Sequence, residues 1–329
     1  MGERETVIRD FLQRHGWGEA KRWRLAGDAS FRKYDRLEDV RGRVVLMNAP
    51  PPLEDVRPFV RIARHLHALG FSVPNVLAED AEHGLLLLED LGDDTYTRLL
   101  AGGQSERALY TLAVDALIAL HKEPGAVPEG VIAYGMPRLL EEVGRLHTWY
   151  LPMIGGATLN PRARDAYEAI WRKVLPLAWK VPTSLVLFDY HVDNLLLLPR
   201  EEIKACGLLD FQDAVSGPVT YDLMSLLEDA RRDVDADVVD DLKPRYMAAF
   251  PTMKREDFEA SWAVMAAQRH MRVIGTFARL KVRDNKPHYL VHMPRLWRYM
   301  DRCLAHPALI ELRAWLDQNV PPSQRVVPA

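Results

Sequence analysis

The hydrophobic and polar residues follow two different patterns along the chain. In the first 90 residues, short apolar or alternating runs separated by turn residues predict strands at 20–26, 30–37, 43–48, 76–79 and 85–89. Residues 3–15 and 55–69 instead carry apolar residues at helical spacing, and Gly70 ends the second of these predicted helices. This part of the chain is therefore expected to form a small antiparallel sheet with one crossing helix.

Helical spacing dominates after the turn-rich run Asp90-Leu91-Gly92-Asp93-Asp94. It predicts helices at about 104–122, 137–150, 161–178, 219–231, 236–249, 255–281 and 306–318. The only strands predicted here are short ones within 185–209. The expected fold is α+β and bilobal, with a small antiparallel-sheet lobe at 1–90, a larger and mainly helical lobe at 91–329, and a ligand cleft between them.

Composition narrows the classes of partner. The chain has 329 residues, a formal net charge of −3 and no run rich in Lys or Arg, so nucleic acid is not an expected partner. No apolar run reaches the ~18 residues that a membrane span needs, and the N-terminus lacks the apolar core of a signal peptide. Cys206 and Cys303 have no metal-binding spacing. A cytoplasmic monomer without a membrane partner is therefore expected.

Two apolar stretches each end near an aspartate. Asp189 follows Leu185-Val186-Leu187-Phe188 and has Asn194 five residues on, whereas Asp210 directly follows Gly207-Leu208-Leu209. A phosphoryl-transfer site needs one carboxylate that receives the acceptor hydroxyl, and an Asn and an Asp that hold Mg²⁺ against the nucleotide phosphates. These residues are predicted in those roles, with ATP as the donor. Taken singly, each is equally typical of a turn at a strand end.

The same residues, followed by Gly217-Pro218-Val219-Thr220-Tyr221-Asp222-Leu223, resemble the aminoglycoside phosphotransferase and choline kinase-like family. The resemblance extends over nearly the whole chain. It implies a protein-kinase-like fold, ATP, Mg²⁺ and phosphorylation of a small-molecule hydroxyl. It also implies that Asp222 braces the catalytic loop from the next helix, although the residue pattern alone is equally that of a first-turn aspartate favoured by the helix dipole.

Four stretches resemble more closely the bacterial kinases that phosphorylate the anomeric hydroxyl of N-acetylmuramate and N-acetylglucosamine in cell-wall recycling. These stretches are 27–34, 45–51, 188–194 and 268–280. An amino sugar is therefore the expected acceptor. An amino alcohol, an aminoglycoside or a homoserine-like compound stays open as an alternative, since Asp213, Glu228 and Asp229 could form the acidic pocket that a cation would need.

The chain departs from the wider family at two positions. Met47 stands where the family has its ATP-binding lysine, and Leu187 stands where a histidine usually opens the catalytic loop. Because methionine supplies no positive charge, either Arg32 or Lys33 replaces the lysine, or ATP binds weakly. Strand alternation puts those two side chains on opposite faces, so only one can point into the cleft. A nucleotide-binding pseudokinase is therefore an alternative, although a binding-only module has no need for Asp189.

The remaining predicted site residues form two sets. The nucleotide set combines a turn that would cover the phosphates, the two hairpin cations, and hinge residues whose backbone would meet adenine: Gly27, Asp28, Ala29, Ser30, Phe31, Arg32, Lys33, Glu89 and Leu91. The acceptor set combines aromatic, amide and charged side chains: Trp149, Tyr190, His191, Asp193, Gln212, Asp213 and Arg269. Arg269, or Arg272 or Arg279 on the same predicted helix, would pair with a carboxylate if the sugar carries one. The alternatives are a solvated hairpin, an interlobe turn, core aromatics and a charged helix face.

Overall fold

A computed structural model of the chain describes residues 2–25, 31–156 and 158–327. Four predicted nucleotide-binding residues, Gly27, Asp28, Ala29 and Ser30, lie outside the described residues. The chain folds as two compact units. The first comprises Met1–Ser105 and Val192–Ala214, and the second comprises Glu106–His191 and Val215–Ala329.

The N-terminal segment of the first unit alternates strands and helices. Its elements are α1 Glu3–Arg14, β1 Lys21–Arg24, β2 Lys33–Asp39, β3 Gly42–Asn48, α2 Arg57–Ala68, β4 Val76–Asp80, β5 Leu85–Glu89 and α3 Tyr96–Ala101. The strands form one antiparallel sheet in the order β1-β2-β3-β5-β4. The predicted antiparallel sheet and both predicted helices are confirmed, with shifted ends, whereas α3 was not predicted.

The rest of the chain is mainly helical. Residues 106–191 contain α4 Glu106–Lys122, α5 Met136–Arg145, a π-helical turn Leu146–Tyr150 that leads into α6 Leu151–Met153, α7 Pro161–Val174 and β6 Thr183–Val186. Residues 192–214 contain β7 Leu195–Leu197 and β8 Cys206–Leu208. Then follow β9 Val215–Pro218, α8 Thr220–Leu227, α9 Ala236–Ala248, α10 Arg255–Asp284, α11 Met293–Cys303 and α12 Ile310–Asn319.

Two predictions for this part of the chain were wrong. Strands were expected only within 185–209, but β6 begins at Thr183 and β9 lies beyond that range. The partner of β9 is β6, and this long-range pairing makes a strand of a segment whose Gly217-Pro218 is locally typical of a turn. Helix α11 was also missed. It has Pro294 in its first turn, where proline is tolerated, and packs its apolar face on α10.

The first unit takes in a segment that is distant in sequence. Leu208 donates its N–H to the carbonyl of Ser72 at 2.8 Å, and Leu197 donates to that of Asp94 at 2.9 Å. These backbone bonds join β7 and β8 to the N-terminal segment. The unit therefore includes residues 192–214 and continues to Ser105, whereas the predicted lobe ended at residue 90.

The two faces of the five-stranded sheet have different environments. One face and helix α1 form a buried apolar core: Ile8, Phe11, Leu12, Leu37, Val44, Leu46, Leu85 and Leu87. On the other face, Arg36 pairs in register with Val45, and Val45 pairs with Leu88. Because partners opposite each other in an antiparallel pair share a face, these three side chains form a row across β2, β3 and β5.

Helices α5 and α10 approach each other closely at a glycine. A Cβ atom added to Gly275 would lie 2.3 Å from Cβ and 2.8 Å from the carbonyl carbon of Arg145. No larger residue fits there without moving one helix. Arg145 then donates from Nη1 to the hydroxyl of Thr276 at 3.0 Å, which fixes the register of the pair.

The substitution Gly275→Ala is therefore expected to lower the free energy of unfolding by about 1–3 kcal/mol, because the methyl group overpacks the α5–α10 contact. Urea denaturation followed by circular dichroism measures this change. Gly125→Ala is the control, because Gly125 has a negative φ and an added Cβ would have only one atom near it, at 3.9 Å. Gly103→Ala is unsuitable because the φ of Gly103 is +86°, which strains any other residue. Equal stability of Gly275→Ala and Gly125→Ala would contradict the expectation.

Candidate active site

Asp189 lies at a backbone turn that is strained for a non-glycine residue. Beyond β6, the N–H of Asp189 donates to the carbonyl of Leu187 at 3.0 Å. The residue between them, Phe188, has φ of +78°. Such a conformation costs roughly 1–3 kcal/mol and persists only where the surroundings hold it. The turn leaves the side chain of Asp189 36% exposed, while Phe188 is buried.

The carboxylate of Asp222 holds this turn from beneath. Asp222 lies in the first turn of α8 and is fully buried. Its two oxygens accept the N–H groups of Leu187 at 2.5 Å and Phe188 at 3.0 Å. Burial raises the pKa of Asp222 to about 7, and the two N–H donors oppose that rise because they favour the carboxylate. The contact has the geometry required of a residue that braces the catalytic loop.

The ring of Phe188 anchors the same turn. It stacks on Tyr221 with 5.4 Å between centroids and 10° between planes, and it meets Tyr134 edge-on at 5.5 Å. The guanidinium carbons of Arg138 and Arg272 lie 4.3 Å and 4.2 Å from the ring centroid. Aromatic and cation–π contacts of this kind contribute roughly 0.5–1.5 kcal/mol each, which offsets the backbone strain.

The β7–β8 hairpin brings the two predicted metal ligands together. Leu195 pairs with Leu208, and the N–H of Leu209 donates to the carbonyl of Asn194 at 2.9 Å. Asn194 therefore lies at the same end of the hairpin as Asp210, and both line one cavity of the first unit. The strand predicted to open directly after Asn194 is confirmed.

The carboxylate of Asp210 accepts hydrogen bonds from a cation and from an amide. Its Oδ1 accepts from Nη2 of Arg32 at 3.2 Å and from Nε2 of Gln212 at 2.9 Å, and the same Gln212 amide donates to Asp213 at 3.1 Å. An amide and a carboxylate oxygen are hard ligands of the kind that Mg²⁺ prefers. By the chemistry of their donors, Asn194 and Asp210 fit a magnesium site.

A cavity of about 570 Å³ lies beside these residues within the first unit. The row of Arg36, Val45 and Leu88 lines one side of it, and the predicted hinge residues Glu89 and Leu91 line another. Small-molecule sites typically enclose 300–1,000 Å³ and combine apolar walls with a few polar groups. The cavity therefore has the size and lining expected of a nucleotide site.

The sequence did not point to Arg36, a residue of β2 that forms salt bridges with the predicted hinge segment. Its side chain is only 7% exposed, and it binds Asp90 at 2.7 Å from Nε and at 3.0 Å from Nη2. Its Nη1 donates to Asp93 at 2.8 Å. The sequence did contain a signal for this pair. Arg36 occupies a strand position whose neighbours are buried, a buried charge requires a partner, and the acidic run 90–94 could supply one.

Met47 lies on the cavity face of β3, opposite a cavity-lining residue of β2, and is 1% exposed. The two cations proposed to replace the lysine have different surroundings. Arg32 is 11% exposed in its side chain and contacts Asp210, whereas Lys33 is exposed. Phe31 is 60% exposed. Since β2 begins at Lys33, Arg32 precedes the strand, and the two residues differ in exposure and in contact with Asp210.

The predicted acceptor residues of the second unit are mostly buried. The Tyr190 hydroxyl donates to the carbonyl of Ala113 at 2.8 Å. His191 is buried, and burial together with nearby arginines lowers its pKa. Arg269 is 2% exposed, and Trp149 is half-buried in the π-helical turn. Tyr190 and Arg269 are therefore buried and do not present their side chains to solvent.

The other predicted acceptor residues belong to the first unit. Asp193 is exposed, lines the cavity and accepts a hydrogen bond from the hydroxyl of Thr97 on α3. Gln212 and Asp213 lie beside Asp210. These three residues are thus near the predicted metal ligands.

A strained turn that presents an aspartate, and a hairpin that aims an amide and a carboxylate at a nucleotide-sized cavity, define a phosphotransferase with a protein-kinase-like fold. A family model described as "Phosphotransferase enzyme family" matches residues 23–257. The chain belongs to this family and is a kinase that phosphorylates a hydroxyl group of its acceptor.

Curated relatives and a solved structure support this membership. The N-acetylmuramate/N-acetylglucosamine kinase of Caulobacter vibrioides is 37% identical over 98% of both chains. The protein of that name from Pseudomonas aeruginosa is 38% identical over 94% of this chain and 92% of its own. The choline kinase of Streptococcus pneumoniae superposes with a TM-score of 0.63 over 93% of this chain and 100% of its own, and at 12% identity it shows the fold alone.

None of the helices in residues 2–25, 31–156 and 158–327 has the length and apolar character needed to cross a bilayer.

The substitution Asp222→Asn is expected to change the pH dependence of stability. The native pKa of about 7 lies above the unfolded value of ~3.9, so the folded state binds more protons between these values. Through this group, the free energy of unfolding of the wild type falls as pH rises from about 4 to 7, and asparagine removes that dependence. Between pH 5 and pH 8, the free energy of unfolding of the wild type, measured by urea denaturation, should therefore fall relative to that of the variant by up to about 2.7 kcal/mol.

Asp240→Asn on the exposed side of α9 is the matched surface control. A stability difference between wild type and Asp222→Asn that is constant with pH, or that moves in favour of the wild type, would contradict the assigned titration.

Proposed function

We propose that this protein transfers the terminal phosphoryl group of ATP, with Mg²⁺, to the anomeric hydroxyl of an amino sugar, N-acetylmuramate and/or N-acetylglucosamine, in peptidoglycan recycling. The observation that carries the proposal is the near full-length identity to kinases named for these two sugars. The braced turn at Asp189 supports it with a carboxylate suited to the acceptor hydroxyl.

Asp189 is the proposed catalytic residue. Its exposed carboxylate would accept a hydrogen bond from the sugar hydroxyl, orient the oxygen toward the phosphoryl group and take its proton. Because the transition state of phosphoryl transfer is loose, correct placement of the hydroxyl contributes more than the basicity of the carboxylate. The bonds from Leu187 and Phe188 to Asp222 supply that placement by fixing the backbone on which Asp189 stands.

The nucleotide is proposed to occupy the cavity of the first unit. Glu89 and Leu91 would meet adenine through their backbone groups. Asn194 and Asp210 would hold Mg²⁺, which when bound neutralises charge on the phosphates. The carboxylate of Glu89 is engaged elsewhere, because it accepts from Nη2 of Arg200 at 2.6 Å. The side chain of Glu89 thus supports the hinge. Its backbone N–H donates to the carbonyl of Asn75 at 2.9 Å, so the proposed contact of Glu89 with adenine falls to its carbonyl oxygen.

A cationic acceptor is less well supported. Of the acidic residues that could receive an amine, Glu228 is already bound by Trp262 Nε1 at 3.0 Å and His270 Nε2 at 2.6 Å. Asp189 also has a cation beside it, since Nη2 of Arg272 lies 3.7 Å from its Oδ1. An amine would therefore meet positive charge beside the catalytic aspartate, whereas a neutral or acidic sugar would not be repelled.

Purified protein with Mg²⁺ and ATP is expected to phosphorylate N-acetylmuramate and N-acetylglucosamine, but not choline, homoserine or kanamycin. Asp189→Ala should lower kcat by roughly 10²–10⁴-fold, because the positioned acceptor of the hydroxyl proton is lost. A coupled assay of ADP release measures both effects, and phosphorus NMR of the product identifies the hydroxyl. Asp240→Ala, on the exposed side of α9, is the control for the substitution type.

The outcomes separate the alternatives. Turnover of an amine in place of the sugars would keep the kinase and discard the proposed acceptor. Full activity of Asp189→Ala would discard the proposed base. ATP binding without transfer to any member of the panel would favour a pseudokinase. Met47 and Leu187 are the two departures from the family that suggest this alternative.

Arg32 is proposed to supply the positive charge that Met47 lacks. Arg32→Ala should weaken binding of Mg·ATP by about 10-fold or more, since a charge-assisted contact contributes about 1.5–3 kcal/mol. Calorimetric titration with a non-hydrolysable ATP analogue measures this loss without depending on turnover. Met47→Lys introduced into the Arg32→Ala protein should recover part of the affinity, because it returns a cation to the family position.

Lys33→Ala is the neighbouring control, since the Lys33 side chain lies on the other face of β2. Equal loss in the two alanine variants, or no loss in Arg32→Ala, would contradict the role of Arg32. Thermal denaturation of each variant excludes unfolding as the cause.

A further inference from the structure

Arg272 on α10 forms an ion pair with Asp189, with 3.7 Å between Nη2 and Oδ1. That distance permits electrostatic attraction but is too long for a hydrogen bond. The Arg272 side chain is 12% exposed, so the guanidinium is mostly desolvated yet reachable. Its position places a cation within a few ångströms of the point where the acceptor hydroxyl would bind.

The guanidinium of Arg272 has no hydrogen-bond partner among the described residues, and its Nε is fully buried. Burying such donors without acceptors is costly, by roughly 1–3 kcal/mol per group. The plane of the side chain is nevertheless fixed, because its central carbon lies 4.2 Å from the centroid of the Phe188 ring. A fixed guanidinium with unused donors is preorganised to receive a planar anion through two hydrogen bonds.

The nearest internal carboxylate does not use up these donors. Glu142 on α5 is buried, and the positive charge of Arg272 helps to keep its pKa low although burial acts to raise it. Its oxygens already accept hydrogen bonds from Arg138 Nε at 3.0 Å, from Gln268 Nε2 at 2.9 Å and from the Tyr134 hydroxyl. Glu142 therefore helps to balance the charge of Arg272 and leaves its hydrogen-bonding capacity open.

Arg269, one helical turn earlier, is a poorer candidate for the same task. It is 2% exposed, and burial, the largest influence, lowers its pKa. A ligand could not reach so buried a side chain without a rearrangement of its surroundings. The sequence offered Arg269, Arg272 or Arg279 as the partner of an acidic substrate, with Arg269 named as the site residue. The greater exposure of its side chain favours Arg272 over Arg269.

We propose that Arg272 forms an anion-binding subsite beside Asp189 that takes the carboxylate of an acidic amino sugar. The inference rests on the proposed function, because the relatives are named for one sugar that carries a carboxylate, N-acetylmuramate, and one that does not, N-acetylglucosamine. Arg272 is then the residue that distinguishes them. It binds the group that only the acidic sugar has, while Asp189 receives the hydroxyl that both share.

The test compares both sugars in the wild type, Arg272→Met and Arg272→Lys. Methionine keeps length and apolar contact with Phe188 but removes the charge, and lysine keeps the charge but not the two-pronged geometry. For N-acetylmuramate, kcat/KM should fall about 10- to 100-fold in Arg272→Met, mainly through KM, and less in Arg272→Lys. For N-acetylglucosamine, KM should stay within about threefold because this sugar has no carboxylate, and any loss of kcat that acts through Asp189 should be the same for both sugars. Arg283→Met, an exposed arginine of the same helix paired with Asp284, is the control.

Equal losses for both sugars, seen mainly in kcat, would overturn the subsite and assign Arg272 to the orientation of Asp189 or to the phosphoryl group. Unchanged kinetics would also overturn it. If the wild type phosphorylates neither sugar, the proposed function fails, and calorimetric binding of the two sugars then decides the subsite separately. Tighter binding of N-acetylmuramate that is lost in Arg272→Met supports the subsite, and equal binding of both sugars overturns it.

Discussion

The geometry of the proposed catalytic residue depends on one buried carboxylate that accepts two backbone N–H groups. Without Asp222, the N–H groups of Leu187 and Phe188 would be buried donors with no acceptor, and the positive φ of Phe188 would have nothing to hold it. The aromatic ring of Phe188 then becomes a second anchor, and the guanidinium of Arg272 takes its orientation from that ring. The strained backbone at Phe188 therefore depends on Asp222, and the position of the Arg272 cation depends on the ring of Phe188.

Arginine has a similar task in both units, where it neutralises carboxylates that the fold buries. In the first unit, Arg36 is matched by Asp90 and Asp93. In the second unit, Glu142 is satisfied by hydrogen bonds from Arg138 and from uncharged partners. A buried charge that is fully hydrogen-bonded serves the architecture, whereas a buried charge with spare donors is available to a ligand. Arg36 lies 2.7 Å from Asp90 and 2.8 Å from Asp93, whereas the ion-pair contact of Arg272 with Asp189 is 3.7 Å long. That difference in distance, and not the mere presence of arginine, distinguishes Arg272 from Arg36.

The sequence predicted the architecture well where local pattern determines it. The alternating strands of the N-terminal sheet and the long helices follow from periodicity, and the apolar run after Asn194 indicated the strand that begins there. Prediction failed for β9 and α11, whose structure depends on partners remote in the chain. For the site, residue type and spacing pointed to Asp189, Asn194 and Asp210. Arg36 was missed, and the sequence could not choose among Arg269, Arg272 and Arg279, because only tertiary packing reveals which arginines are buried and which can meet a ligand. The roles of all these residues remain predictions.

The pairing of Arg36 with Asp90 and Asp93 has a consequence for the thermodynamics of nucleotide binding. The salt bridge clamps the segment after β5 to the centre of the sheet before any ligand arrives. A segment that is already ordered loses little conformational entropy when a purine docks on its backbone, so less of the interaction energy is consumed in arranging the protein. The wall of the cavity that would receive the base therefore behaves as a rigid template, and selectivity among purines and their analogues is set by shape and hydrogen-bond complementarity instead of by adaptive closure of that wall.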